Sequence, residues 1–246
     1  MITEIIPSDC YTIREYNLQS KFHHAEFNGF RQFNLIAGKN GIGKTVLLEC
    51  LRDKCEYKNV MMFADYFIIS GKLKESQDRK IHAALHKNEI AFLKNEAISE
   101  IDKSMSIFGE IEHRNGSTAS DIKFKSSNVI EDVLTKSNAT KKMYLLTGAL
   151  LALESGGVLL IDDIDFGLHY TIHKPFLKRL FELAIERDVQ IFATTHSLEM
   201  ITAYNKVVEE CNYYDIARYF EMFEFFKNKE LCMHEIDCQT LKREIY

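Results

Sequence analysis

The segment Gly38-Lys39-Asn40-Gly41-Ile42-Gly43-Lys44-Thr45 fits the spacing G-x-x-x-x-G-K-[ST] in full, and it constrains the chain more than any other feature. Before it lies the apolar run Phe33-Asn34-Leu35-Ile36-Ala37, which reads as a buried strand. After it, Val46-Leu47-Leu48-Glu49-Cys50-Leu51 reads as a helix. Glycines let the backbone wrap closely, so that its N–H groups converge on an anion. The start of the helix adds the positive end of a dipole. Gly38, Asn40, Gly41 and Gly43 are therefore read as a backbone cradle for phosphates. Lys44 is read as reaching the β- and γ-phosphates, and the Thr45 hydroxyl as a ligand to Mg²⁺. ATP and Mg²⁺ are the expected cofactors.

Two more apolar runs deliver polar residues at their C-terminal ends, where parallel sheets bind ligands. Val158-Leu159-Leu160-Ile161 ends in Asp162-Asp163, and Val189-Gln190-Ile191-Phe192-Ala193-Thr194 leads into Thr195-His196-Ser197. Asp162 is read as orienting Mg²⁺ or its waters, Asp163 as polarising an attacking water. His196 is read as meeting the γ-phosphate or that water. Between these strands, Phe176, Leu180, Leu183 and Ala184 follow a helical period, with Lys178, Arg179, Glu182 and Glu186 elsewhere on the wheel. Strand, helix, strand in that order implies a parallel crossover. The expected fold class is α/β, with a mostly parallel central sheet and flanking helices.

With two prolines, no Gly/Ser-rich linker and no internal repeat, the chain reads as a single domain over residues 1–246. Residues 73–142 are rich in charge and read as a lateral, mostly helical lobe. Residues 217–246 read as a C-terminal hairpin and tail, turning near Lys227-Asn228-Lys229. A formal net charge of -5 is unlike the strongly basic balance of a dedicated nucleic-acid binder, although a local basic patch stays compatible with it. No long apolar run and no secretory leader stand out, so a cytoplasmic protein without membrane attachment is expected. The six cysteines form no C-x-x-C pair and read as free thiols. Cys232, His234 and Cys238 lack an evident fourth ligand for zinc.

Taken together, these segments resemble a known group. Residues 34–45 are similar to the Walker A segment of ABC-type ATPases related to the SMC, Rad50 and OLD proteins. Leu160-Ile161-Asp162-Asp163-Ile164-Asp165-Phe166-Gly167-Leu168-His169-Tyr170 resembles the Walker B and D-loop of their small bacterial relatives, which typically read L-I-D-E-I-x-x-G-L-H-Y. Gln190 to Ser197 resembles the strand and switch histidine of the same group. The resemblance implies a P-loop fold of ABC type. Two departures stand out. Asp163 replaces the usual Glu and is shorter by one methylene, about 1.5 Å, which implies slow hydrolysis. The best match to the signature motif is Lys136-Ser137-Asn138-Ala139-Thr140-Lys141-Lys142, where Ser137 fits the family's nucleotide-contacting serine but Ala139 stands for a glycine. Gln77 is the one position considered for the family's Q-loop.

By this resemblance the chain is an ATP-dependent homodimer whose association switches with hydrolysis. The switch would control an unidentified effector protein, in phage defence or DNA repair. The alternatives are a non-hydrolysing nucleotide-dependent binding module and the nucleotide-binding subunit of a transporter. DNA binding is left open by the charge distribution.

Overall fold

A computed structural model describes residues 1–7, 10–15, 22, 27–55, 59–64, 67–70, 95–113, 121–124, 131–132, 137–224 and 231–236. The elements begin with β1 (Glu4–Ile5), α1 (Tyr11–Glu15), β2 (Phe27–Asn28), β3 (Phe33–Gly38), α2 (Lys44–Lys54), β4 (Val60–Ala64) and β5 (Phe67–Ser70). They continue with α3 (Asn95–Met105), β6 (Ile111–His113), β7 (Asp121–Phe124), β8 (Glu131–Asp132), α4 (Asn138–Ala152) and β9 (Val158–Ile161). The last are α5 (Tyr170–Arg187), β10 (Gln190–Thr195), α6 (Leu198–Cys211), β11 (Ala217–Glu224) and β12 (Leu231–Ile236).

The main sheet has seven strands in the order β12-β11-β3-β10-β9-β4-β5. Its interior pairs are parallel, and only the edge pairs β11–β12 and β4–β5 are antiparallel. Alternate strand residues feed two separate cores. Phe33, Leu35, Leu159, Ile161, Ile191 and Ala193 pack with α4, α5 and α6 on one face. Ile36, Val158, Leu160, Phe192 and Phe220 pack with Leu47, Leu48 and Leu51 of α2 on the other. Burial on both faces is why these strands read as continuous apolar runs. Each fully buried Leu, Ile or Phe contributes roughly 1.5–3 kcal/mol.

The helical face read on α5 is buried as expected, at Phe176, Leu180, Leu183 and Ala184. Phe181 of the same helix stacks on Phe33, centroids 4.0 Å apart. Arg179, which falls off the apolar stripe, is nonetheless buried. It donates to Glu100 Oε2 at 2.5 Å and Ser104 Oγ at 3.1 Å, docking α3 on α5. The lysine and arginine partners hold the Glu100 carboxyl below its ordinary range, against the opposing effect of burial, its largest single influence.

The stretch read as a mostly helical lobe is mixed. It holds α3, then a small antiparallel sheet in the order β6-β7-β8. Asp121-Ile122-Lys123-Phe124 alternates polar and apolar, a strand period that the surrounding charge obscures. At the C-terminal end β11 and β12 pair antiparallel, Phe223 opposite Cys232. Cys238 and Gln77 lie outside the described residues. Among the described cysteines all five are free thiols, with Cys10 and Cys50 buried. No helix among the described residues is long and apolar enough to cross a membrane.

Candidate functional site

Because β3, β10 and β9 are parallel neighbours, their C-terminal ends open on one side of the sheet. The glycine-rich loop follows β3, the acidic pair follows β9, and the threonine–histidine segment follows β10.

In the loop, Gly41 has φ 76° and Gly43 has φ 112°, conformations that favour glycine. A Cβ on Gly41 would point into open space, whereas one on Gly43 would crowd Phe22 at 3.3 Å. Gly43 caps α2, whose first residue is Lys44. The Lys44 side chain is buried and curls over the loop, donating to the carbonyls of Gly38 at 2.8 Å and Lys39 at 3.2 Å. Asn40 and Thr45 are exposed.

The Thr45 hydroxyl donates to Asp162 Oδ2 at 2.7 Å, joining residues 117 positions apart. The other carboxylate oxygen, Oδ1, accepts from the Thr194 hydroxyl at 2.5 Å. Thr194 Oγ1 in turn accepts from the Asp163 N–H at 2.9 Å. A hydroxyl on β10 thus fixes both aspartates at the end of β9. Thr195 carries the pattern one step outward. Its hydroxyl donates to Asp165 and accepts from the Ser197 N–H.

Asp163 has φ 43°, in the left-handed region that aspartate tolerates better than most side chains. Its Oδ1 lies 3.5 Å from His196 Nδ1, an ion pair when the imidazole carries a proton, and both side chains are about half exposed. Ligand atoms of Asp163, Asp165 and His196 lie within 4.8 Å of one another. The Asp163 carbonyl accepts from the Phe166 N–H at 2.9 Å and from Lys142 Nζ, also at 2.9 Å. Lys142 also donates to the Phe166 carbonyl at 3.1 Å. Burial pushes the Lys142 ammonium down to about 8, while Asp165, Asp163 and Asp162 pull the other way. Beyond this turn, Phe166, Tyr170 and Leu198 are exposed large apolar side chains.

The structure brings Thr45, Asp162, Asp163 and His196 together, with Gly38, Gly41, Gly43 and Lys44 on the adjoining loop. Ser137 stands apart from this network. It caps α4, with Oγ accepting from the Thr140 N–H at 3.4 Å and lying 3.0 Å from Thr140 Oγ1. Two participants are visible only in three dimensions. Thr194 reads in sequence as the last residue of a strand, and Lys142 as the last residue of the signature match. The threonine doublet before His196 is the one sequence signal that points at the first.

A family model described as "AAA domain, putative AbiEii toxin, Type IV TA system" matches residues 110–202, a span that includes both aspartates, Lys142 and His196. No curated protein matches the chain. Among solved structures, the SMC head domain from Thermotoga maritima is similar with a TM-score of 0.50 and 11% identity, over 86% of this chain and 93% of that one. CbiO1 from Clostridium perfringens, part of an ABC transporter complex, gives a TM-score of 0.49 and 16% identity, over 89% and 82% of the two chains. An SMC head bound to the C-winged helix domain of ScpA gives 0.48 and 11%, over 89% and 94%.

Proposed function

We propose that the chain is an ABC-type P-loop ATPase domain of the SMC- and Rad50-like group, a reading that its motifs, its fold and the partial family match support, and that it binds ATP·Mg²⁺ and hydrolyses it slowly to switch its own self-association. The observation that carries this reading is the 2.7 Å bond between Thr45 and Asp162. A hydroxyl after a glycine-rich loop and a carboxylate after a buried strand form the oxygen donor set that Mg²⁺ prefers. The positive-φ glycines and the open space at Gly41 suit a phosphate chain approached by backbone.

Bound Mg²⁺ would supply charge neutralisation at the phosphates. In this reading Thr45 and Asp162 hold the ion. The N–H groups of residues 38–45 orient the phosphates, and Lys44 shifts from its two carbonyls onto them. Asp163 and His196 hold the attacking water, with Asp163 accepting its proton. Ser137, at the N-terminal end of a 15-residue helix, would meet the nucleotide on a second copy. Phe166, Tyr170 and Leu198 would be covered in that closed pair. Closing and reopening would be passed to a partner protein. The match to a family described as a toxin of a type IV toxin–antitoxin system supports the defence setting.

Turnover of ATP with Mg²⁺ by the wild-type protein and by Lys44→Ala tests this reading, alongside light scattering with a slowly hydrolysed ATP analogue. Expected are turnover in the wild type, its loss in the variant, and larger particles with the analogue. Tight binding without turnover would favour the second reading, a nucleotide-dependent binding module. That reading draws on the short carboxylate of Asp163, set 3.5 Å from His196.

A further inference from the structure

Lys142 is 2% exposed, an unusual place for a lysine. It lies on the second turn of α4, and its ammonium reaches across to the turn that follows β9. Its hydrogen-bond partners there are main-chain carbonyls, of Asp163 at 2.9 Å and Phe166 at 3.1 Å. Those two carbonyls belong to the ends of one turn, itself closed by the bond from the Phe166 N–H to the Asp163 carbonyl. The Phe63 ring lies below the ammonium, 5.8 Å from it. On the other side of the same residue, Thr194 takes the Asp163 N–H. Asp163 is therefore gripped at both its N–H and its carbonyl, in a left-handed conformation that an ungripped residue would readily leave.

We propose that Lys142 is a positioning residue for Asp163: it fixes the turn 163–166 so that the Asp163 carboxylate faces His196, and it ties that carboxylate to the helix that Ser137 caps. The proposal rests on the hydrolytic reading above. Lysine suits the task because one ammonium can serve two carbonyls at once. The three aspartates around the turn favour its charge, against burial, which is the larger influence.

The test compares Lys142→Met, Lys142→Arg and Asp163→Asn, alone and with Lys142→Met added to Asp163→Asn. Turnover, analogue affinity and melting temperature are read for each. A catalytic group displaced by about 1 Å loses on the order of 10²-fold in rate. Lys142→Met should therefore lower kcat by roughly 10- to 100-fold while analogue affinity holds, and Lys142→Arg should recover part of it. In the Asp163→Asn background the same change should cost little more, since residues acting through one another are not additive. Equal losses in both backgrounds, or a parallel fall in affinity and melting temperature, would overturn the proposal. A wild-type protein that binds ATP without turnover would sink the hydrolytic reading and this role with it. Turnover in the wild type that is unchanged in Lys142→Met would sink this role alone.

Discussion

Asp162 gives each carboxylate oxygen to a hydroxyl, Thr45 at 2.7 Å and Thr194 at 2.5 Å, whereas Asp163 next to it has its carboxylate half exposed, with His196 at 3.5 Å. The backbone reverses the contrast. Asp162 continues the ladder, its N–H on the Phe63 carbonyl, while Asp163 sits in a left-handed turn held by Thr194 and Lys142. Asp162 is fixed through side chain and main chain alike, Asp163 chiefly through its main chain. The first arrangement suits holding an ion in a set place. The second aims a carboxylate while leaving its oxygens free for a water, and such contacts tighten when a ligand completes the site.

The sharpest way to break this comparison is Asp163→Asn. Asparagine has the same shape and tolerates the left-handed turn, so the fold should be kept. Water-positioning or general-base groups contribute typically 10²–10⁴-fold, so kcat should fall by about that much while affinity for an ATP analogue stays near wild type. Steady-state turnover and calorimetry measure the two halves separately. An unchanged rate would remove Asp163 from the chemistry and leave His196 or Asp165 as the next candidate.

Thr194→Val attacks the joint between the two aspartates. The exchange keeps the shape and removes a hydroxyl that donates to Asp162 and accepts from the Asp163 N–H. Leaving a buried group unpaired costs roughly 1–3 kcal/mol. The melting temperature should drop by several degrees, at about 2–4 °C per kcal/mol for a chain of this size. The Mg²⁺ concentration needed for half-maximal turnover should rise. A protein that melts and titrates like wild type would show that the two aspartates do not depend on Thr194.

The smallest expected effect belongs to Asp163→Glu. The longer side chain should raise turnover a few-fold if reach limits the rate. It should also lower stability by at most about 1 kcal/mol, since glutamate lacks the short side chain that helps aspartate tolerate the left-handed region. Turnover below wild type would mean that Asp163 already reaches its water and that Glu crowds the site.

The parallel strands and the P-loop helix were legible because they are local. β3, β9 and β10 are continuous apolar runs, and the glycines at 41 and 43 announce their own turn. Asp162 and Asp163 stand out in the sequence as a pair, yet their opposite settings do not, since these depend on Thr194, 31 positions from the nearer aspartate. Lys142 falls at the end of the signature match, where nothing local marks it as buried; lysine rarely is, and only the carbonyls across from α4 explain it. Arg179 was hidden for the same reason, its partner Glu100 lying 79 positions away. The strands β6 to β8 are too short, and too mixed with charge, for their period to outweigh the helical composition around them.

In the sheet order, β5 stands at an edge, bonded to β4. Later in the chain, Arg179 docks α3 on α5, and α4 precedes β9, which lies in the interior of the sheet. Every strand that carries a site residue lies inside the sheet, so material spliced in on either side of α3 changes no strand register. Closure entropy grows only by about 0.6 kcal/mol for each doubling of a flexible loop. Extra length beside α3 therefore leaves the order and pairing of β3, β9 and β10 as they stand.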